Sequence, residues 1–162
     1  MTLPVVILVL VTLQRLGELW LSNRNTRRLL TRGAREVAPG HYPLIVAVHT
    51  LWLAALWWLA PGRHVSTFWL VVFVLLQLAR VWVIATLGDR WTTRIITLPG
   101  APLVHSGPYR FVSHPNYLVV AGEIAALPLA FGLWEVALLF SILNAAVLAI
   151  RIRQENRALA SV

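Results

Sequence analysis

Apolar positions along the chain fall in five runs, at about 3–21, 42–59, 67–87, 117–130 and 133–150. Polar stretches at 22–41, 60–66 and 88–116 separate them, and a polar tail follows at 151–162. A helix needs about 20 mainly apolar residues to cross a bilayer. The fourth run is short for a full crossing, and Glu123 and Pro128 interrupt it. Gly132 makes a tight reversal into the fifth run. The pattern predicts an all-α, polytopic integral membrane protein with about five transmembrane helices. The last two form a tight hairpin, and residues 1–162 make a single membrane domain. The opening run has no basic region before it and no small-residue cleavage site after it, so it reads as a retained helix. The arginine-rich stretch 22–41 reads as an interfacial helix followed by a turn at Gly33, Pro39 and Gly40. The density of Gly and Pro in 88–116 excludes one continuous helix there.

Composition sharpens this picture. The chain is 59% hydrophobic and 12% charged, against about 45–50% and about 25% for a soluble domain. Six acidic and fourteen basic residues cannot cover a globule of 162 residues. A soluble enzyme and a disordered chain are both excluded. The basic residues are all arginine, and the net charge is +8. Eleven of the fourteen lie in 22–41, 88–116 and the tail. Cytoplasmic loops of membrane proteins concentrate such residues. The charge is therefore an orientation signal rather than a sign of nucleic acid. It places those segments in the cytoplasm, the N-terminus outside and the C-terminus inside. The sequence lacks cysteine, so no thiolate chemistry and no disulfide are available.

Candidate chemistry gathers at the same face. His105, Tyr109, Arg110, His114 and Tyr117 precede the fourth run, and Arg151, Glu155 and Asn156 follow the fifth. A hairpin brings both groups into one pocket. Arg151 and Glu155 stand four apart, so they either pair with each other or offer a cation and an anion to a ligand. Glu18, Arg80 and Glu123 sit inside apolar runs. Intramembrane charges usually serve function; for Glu18 and Arg80 the other reading is a structural ion pair between the first and third spans, or snorkelling. No metal-ligand spacing occurs, and neither a nucleophile elbow nor a phosphate-binding fingerprint is present. A small transporter would put its polar groups near the midplane and would often show repeats. Only Glu18 and Arg80 favour that class. A non-catalytic membrane subunit would not require the long 88–116 loop. The residues favour a lipid enzyme facing the cytoplasm.

Three segments carry a family resemblance. They are Gly107-Pro108-Tyr109-Arg110-Phe111-Val112-Ser113-His114-Pro115-Asn116-Tyr117, the Gly122-Glu123 pair in the next span, and the terminal Arg151-x-x-x-Glu155-Asn156. Together they resemble the isoprenylcysteine carboxyl methyltransferase family. Gln14-Arg15-Leu16-x-Glu18-Leu19, Gly40-His41-Tyr42-Pro43 and Trp91-Thr92-Thr93-Arg94-Ile95-Ile96 resemble a bacterial branch associated with phenolic or pyrone lipids. The resemblance implies an enzyme of the bacterial cytoplasmic (inner) membrane that uses S-adenosyl-L-methionine as cofactor and a lipid-like small molecule as substrate. The matching cofactor-binding positions are His114, Pro115, Tyr117, Gly122, Glu123, Arg151, Glu155 and Asn156. Arg110 or Arg151 would hold the cofactor carboxylate. Arg80 and Glu18 would orient the lipid head group. Methyl transfer to a carboxylate needs no base, whereas a phenol or enolic hydroxyl calls for His114, His41 or Glu123 in that role. Asn156 stands where the family often has a second glutamate, and Ser113 where it is often basic. Both departures weaken prenylcysteine carboxylate as the substrate. The expected reaction is methylation of an oxygen; phospholipid amine N-methylation is the alternative. The sequence does not set the oligomeric state.

Overall fold

A computed structural model describes residues 2–160, with side chains described to Arg157. Five helices form the molecule: α1 (Leu3–Thr31), α2 (Tyr42–Leu59), α3 (Thr67–Leu87), α4 (Pro115–Ala130) and α5 (Trp134–Ala160). Four are long and apolar enough to cross a membrane, and α4 is the shorter one. At 1.5 Å per residue α4 reaches about 24 Å, below the hydrocarbon thickness of about 30 Å. Its neighbours α3 and α5 cover it, so Val119, Ile124, Ala126 and Leu127 are buried. The outer helices show the reverse pattern. On α1, Leu10, Leu13 and Leu16 are each about 60% exposed, as expected of a face that meets lipid.

Two helices run further than their apolar stretches. The sequence reading ends the first span near 21 and begins a tail at 151. In the structure α1 continues unbroken through the arginine-rich segment to Thr31, and α5 continues through the tail to Ala160. Arginine is a good helix former, so leaving the bilayer gives no reason to stop. The stop comes at Gly33, with φ +87°. The interfacial helix expected at 22–41 is thus the end of α1.

A two-residue antiparallel ladder was not expected from the sequence. β1 (Arg35–Glu36) pairs with β2 (Ile96–Thr97), with Arg35 opposite Thr97 and Glu36 opposite Ile96. It ties the 22–41 segment to the 88–116 loop on one face of the bundle.

The apolar core lies at the other end. Leu8, Trp52, Leu56, Phe73, Leu127 and Phe140 belong to it. Pro128 lacks an N–H and so frees the Ile124 carbonyl four residues earlier. Trp52 Nε1 donates to that carbonyl at 3.2 Å. The α4–α5 reversal places Gly132 at φ +68°, a conformation in which a Cβ would be strained.

Candidate functional site

The polar face is built on the extension of α1. Asn25 Nδ2 donates to the carbonyls of Gly88 and Trp91, at 3.1 and 2.8 Å. Ser22 Oγ accepts from the Thr93 N–H at 2.8 Å and lies 2.7 Å from Thr93 Oγ1. These contacts fix the start of the 88–116 loop against a rigid helix. Arg94 pairs with Glu36 at 3.1 Å and stacks over the Tyr42 ring at 4.7 Å. Behind this wall lies a cavity of about 450 Å³. The loop, the start of α4 and the end of α5 line it.

Five of the eight cofactor-binding positions expected from the sequence meet at that cavity, His114, Tyr117, Arg151, Glu155 and Asn156, and His105 lines it too. His114 precedes the first turn of α4, and Pro115 starts the helix, where its missing N–H costs nothing. The His114 and Tyr117 rings stack at 5.3 Å. His114 Nε2 lies 3.2 Å from Asn156 Oδ1. Arg151 Nε donates to the Tyr117 hydroxyl at 2.8 Å, and that hydroxyl donates to Glu155 Oε2. Arg151 and Glu155 therefore meet through the Tyr117 oxygen rather than directly. Arg151 Nη1 also donates to the Thr93 carbonyl at 2.6 Å. Tyr109 lines the same cavity. Burial, then the nearby Glu155 charge, pushes its hydroxyl up to about 12, so near neutral pH it is a protonated donor.

A second cavity of about 490 Å³ lies deeper, between α1, α2 and α4. Its walls are mainly apolar, with Leu16, Ile45, Leu53 and Val120 among them. The two cavities share Trp91, Thr92, Asn116, Tyr117 and Arg151. That seam is the only wall they have in common among the described residues.

The intramembrane charges form one closed layer. Arg80 grips Glu18 with both Nε and Nη2, at 2.5 and 2.6 Å. Arg80 Nη1 and Arg15 Nη2 both donate to Glu123 Oε2, at 3.1 and 2.7 Å. Gln77 Nε2 donates to Glu123 Oε1 at 2.8 Å, and Arg15 Nη1 to Glu18 Oε2 at 3.0 Å. Two cations meet two anions across α1, α3 and α4. Such a layer avoids the large penalty of an unpaired buried charge.

Several sequence-derived candidates therefore sit elsewhere. Glu123 is 1% exposed and lines neither cavity. It is committed to Arg15, Arg80 and Gln77, so it is not free to act as a base or to touch a ligand. Gly122 lines neither cavity; a Cβ there would come within 2.9 Å of Leu76, so it permits close α3–α4 packing. His41 is buried and lines neither cavity, with Nδ1 bonded to the Ala38 carbonyl. Arg110 is exposed, lies over Phe111 and lines neither cavity. Glu18 and Arg80 do line the apolar cavity, as members of the ion layer.

The seam residues Trp91, Thr92 and Asn116 and the cavity residue His49 were not proposed as site residues from sequence. His49 carries no signal of its own: it is one polar residue in the apolar run 42–59. Asn116 stands inside the His-Pro-x-Tyr element, and that neighbourhood is the one clue to it.

Comparison with known proteins fits this geometry. The profile of the isoprenylcysteine carboxyl methyltransferase family matches residues 69–161, the segment that holds α3, the long loop, α4 and α5. The chain belongs to this family. All residues lining the loop-and-tail cavity except Leu29 lie within the matched segment. Uncharacterized protein YpbQ of Bacillus subtilis (strain 168) is 36% identical over 158 residues, which cover 94% of each chain. An uncharacterized protein of Haemophilus influenzae is 26% identical over 151 residues, covering 90% of this chain and 88% of its own. No solved structure matches. Membership of the isoprenylcysteine carboxyl methyltransferase family implies a membrane methyltransferase dependent on S-adenosyl-L-methionine. With four helices of spanning length, the protein is a multi-pass membrane protein.

Proposed function

We propose that the polar cavity holds S-adenosyl-L-methionine and that the apolar cavity admits a lipid-like acceptor, whose oxygen takes the methyl group at the seam. That oxygen belongs to a carboxylate, a phenol or an enolic hydroxyl. The observation that carries this reading is the shared wall. Two cavities of opposite polarity, each within the usual ligand range of about 300–1,000 Å³, meet at Trp91, Thr92, Asn116, Tyr117 and Arg151.

The donor set suits the cofactor. Glu155 offers a carboxylate to hydroxyl or amino groups, Asn156 an amide, and Arg151 a guanidinium to a carboxylate. Ile95, Leu98 and Val104 supply apolar wall for a flat base. When bound, the cofactor supplies an electrophilic sulfonium methyl. The chain then has to align the acceptor oxygen with that methyl and keep water out. The α1 clamp on Trp91 and Thr93 provides rigidity for alignment. The ion layer closes the inner end of the site. Arginine placement supports an orientation with the polar cavity towards the cytoplasm of a bacterial inner membrane, where a soluble cofactor enters and anionic lipid attracts the basic face.

The test is transfer of radiolabelled methyl from S-adenosyl-L-methionine into host lipid extracts by the purified protein. Label in an ester or ether of a long-chain lipid is the expected result. Label confined to amine head groups would replace this reading with phospholipid N-methylation, and no label with folded protein would overturn both.

A further inference from the structure

The segment 107–114, which leads into α4, lies deeper along the bundle than a surface loop would. The Ser66 N–H donates to the Ala130 carbonyl at 2.8 Å, which sets the end of α4 beside the start of α3. A Cβ on Gly122 would come within 2.9 Å of Leu76, so those two residues stand level. Seven residues from that level lead to Pro115 on one helix and to Val83 on the other. α4 therefore starts roughly 6 Å short of the end of α3 at Leu87. Gly107 gives the same depth from the other end of the segment. A Cβ there would collide with Thr86 Oγ1 and come within 3.2 Å of Trp82 Nε1, so the chain is pressed against the last turns of α3. The helix α3 is apolar from Thr67 to Leu87, roughly 30 Å, which matches the hydrocarbon thickness. Its end marks the edge of the apolar layer, and 107–114 lies inside that edge.

The side chains suit that depth. Phe111 is 74% exposed, and Val112 is exposed beside it. Leu118 on the first turn of α4 and Leu78 and Trp82 on α3 are exposed as well. The segment thus continues the lipid-facing surface of the bundle. Non-helical backbone at membrane depth has to satisfy its own polar groups. Gly107–Arg110 do so as a 3-10 turn: the Tyr109 and Phe111 N–H groups donate to the Ser106 and Pro108 carbonyls at 3.2 Å each, and Pro108 has no N–H to satisfy. Arg110 is exposed, with its guanidinium 5.8 Å from the centre of the Phe111 ring. A side chain of that length reaches head groups while its apolar neighbour stays below them. Tyr109, in the same turn, lines the polar cavity, as does His114.

We propose that residues 107–112 are a wedge inserted into the bilayer. Phe111 and Val112 enter the acyl layer at the polar end of the bundle, and Arg110 meets the lipid phosphates. The lipid thereby holds in place the wall of the polar cavity that Tyr109 and His114 form. The stretch 88–116 is then only in part an aqueous loop. The occupant of the exposed patch is lipid because the patch is continuous with the lipid-facing sides of α3 and α4 and lies at their depth.

The chain lacks cysteine, so single substitutions accept a nitroxide label without background. Phe111→Cys, Leu78→Cys on the exposed face of α3 and Arg32→Cys beyond the end of α1 are labelled in the full chain, in nanodiscs of phosphatidylethanolamine and phosphatidylglycerol. Power saturation compares access to oxygen, which concentrates among acyl chains, with access to a water-soluble nickel chelate. The label at 111 should follow that at 78, with oxygen dominant, and the label at 32 should show the reverse. A label at 111 that follows the one at 32 puts the segment in water and overturns the proposal. A label shielded from both reagents means that protein covers the patch, and overturns it equally. The link to the cavity is read separately and rests on the cofactor reading above. In the same nanodiscs Phe111→Asp should weaken S-adenosyl-L-methionine binding about tenfold or more, the worth of burying one large apolar side chain. Phe111→Leu should bind like wild type. Unchanged affinity in Phe111→Asp would overturn the link. Folded wild-type protein that binds no cofactor refutes the parent reading and the link with it, while the label at 111 decides the insertion by itself.

Discussion

The molecule carries two polar clusters within about one helix turn or two of each other, and they are put together differently. In the Arg15–Glu18–Arg80–Glu123 layer each charge has an opposite charge on another side chain within hydrogen-bond distance. In the His114–Tyr117–Arg151–Glu155–Asn156 cluster the same side-chain types face a cavity, and Arg151 reaches Glu155 only through the Tyr117 hydroxyl. One cluster is paired charge for charge, with Arg15 Nε its one buried nitrogen lacking a partner among the described residues. The other keeps bonding capacity in reserve. The difference separates charges that hold a membrane bundle together from charges proposed to recognise a cofactor.

The comparison predicts opposite consequences for similar substitutions. Glu123→Ala leaves two guanidiniums short of a partner in the interior, and the cost of breaking a buried pair is about 3–5 kcal/mol. Thermal unfolding in detergent should show a large loss of stability. An unchanged midpoint would mean that the layer is not closed. Glu155→Ala should leave the midpoint nearly unchanged and weaken cofactor binding by about 10- to 100-fold, the worth of about 1.5–3 kcal/mol for a charge-assisted hydrogen bond. Tyr117→Phe keeps the stacked ring and removes only the hydroxyl between Arg151 and Glu155. A loss of about fivefold in affinity follows from about 1 kcal/mol, again with little effect on unfolding. The smallest effect concerns Tyr109. Its hydroxyl titrates at about 12 instead of 10 because burial and then Glu155 disfavour the phenolate. Phenolate absorbance lost in Tyr109→Phe should therefore appear only above the ordinary tyrosine range. Cofactor binding should show no step from this residue between pH 7 and 10.

Much of this was legible in the sequence, for physical reasons that differ by region. The apolar runs marked the spans because lipid exposure demands apolar side chains, and Gly33 and Gly132 marked real stops. The reach of α1 beyond residue 21 was hidden because an arginine-rich helix outside the bilayer has the same composition as a basic loop. The two-residue β ladder is too short to leave a periodic trace. On the site, the spacing of His114, Tyr117, Arg151 and Glu155 around a hairpin was enough to bring them together. Glu123 looked like a site residue because an acid inside a span is costly; its partners, Arg15 on α1 and Arg80 on α3, are distant in sequence. His49 and Asn116 were invisible for the converse reason. Only the tertiary fold decides which cavity a side chain faces.

The central claim is that the open cluster, and not the closed layer, holds the cofactor. Titration calorimetry of S-adenosyl-L-methionine into the intact protein tests it most directly, with Glu155→Ala as partner. One site per chain is expected, weakened at least tenfold by Glu155→Ala. Absence of binding by the folded protein, or binding indifferent to Glu155→Ala, would contradict it.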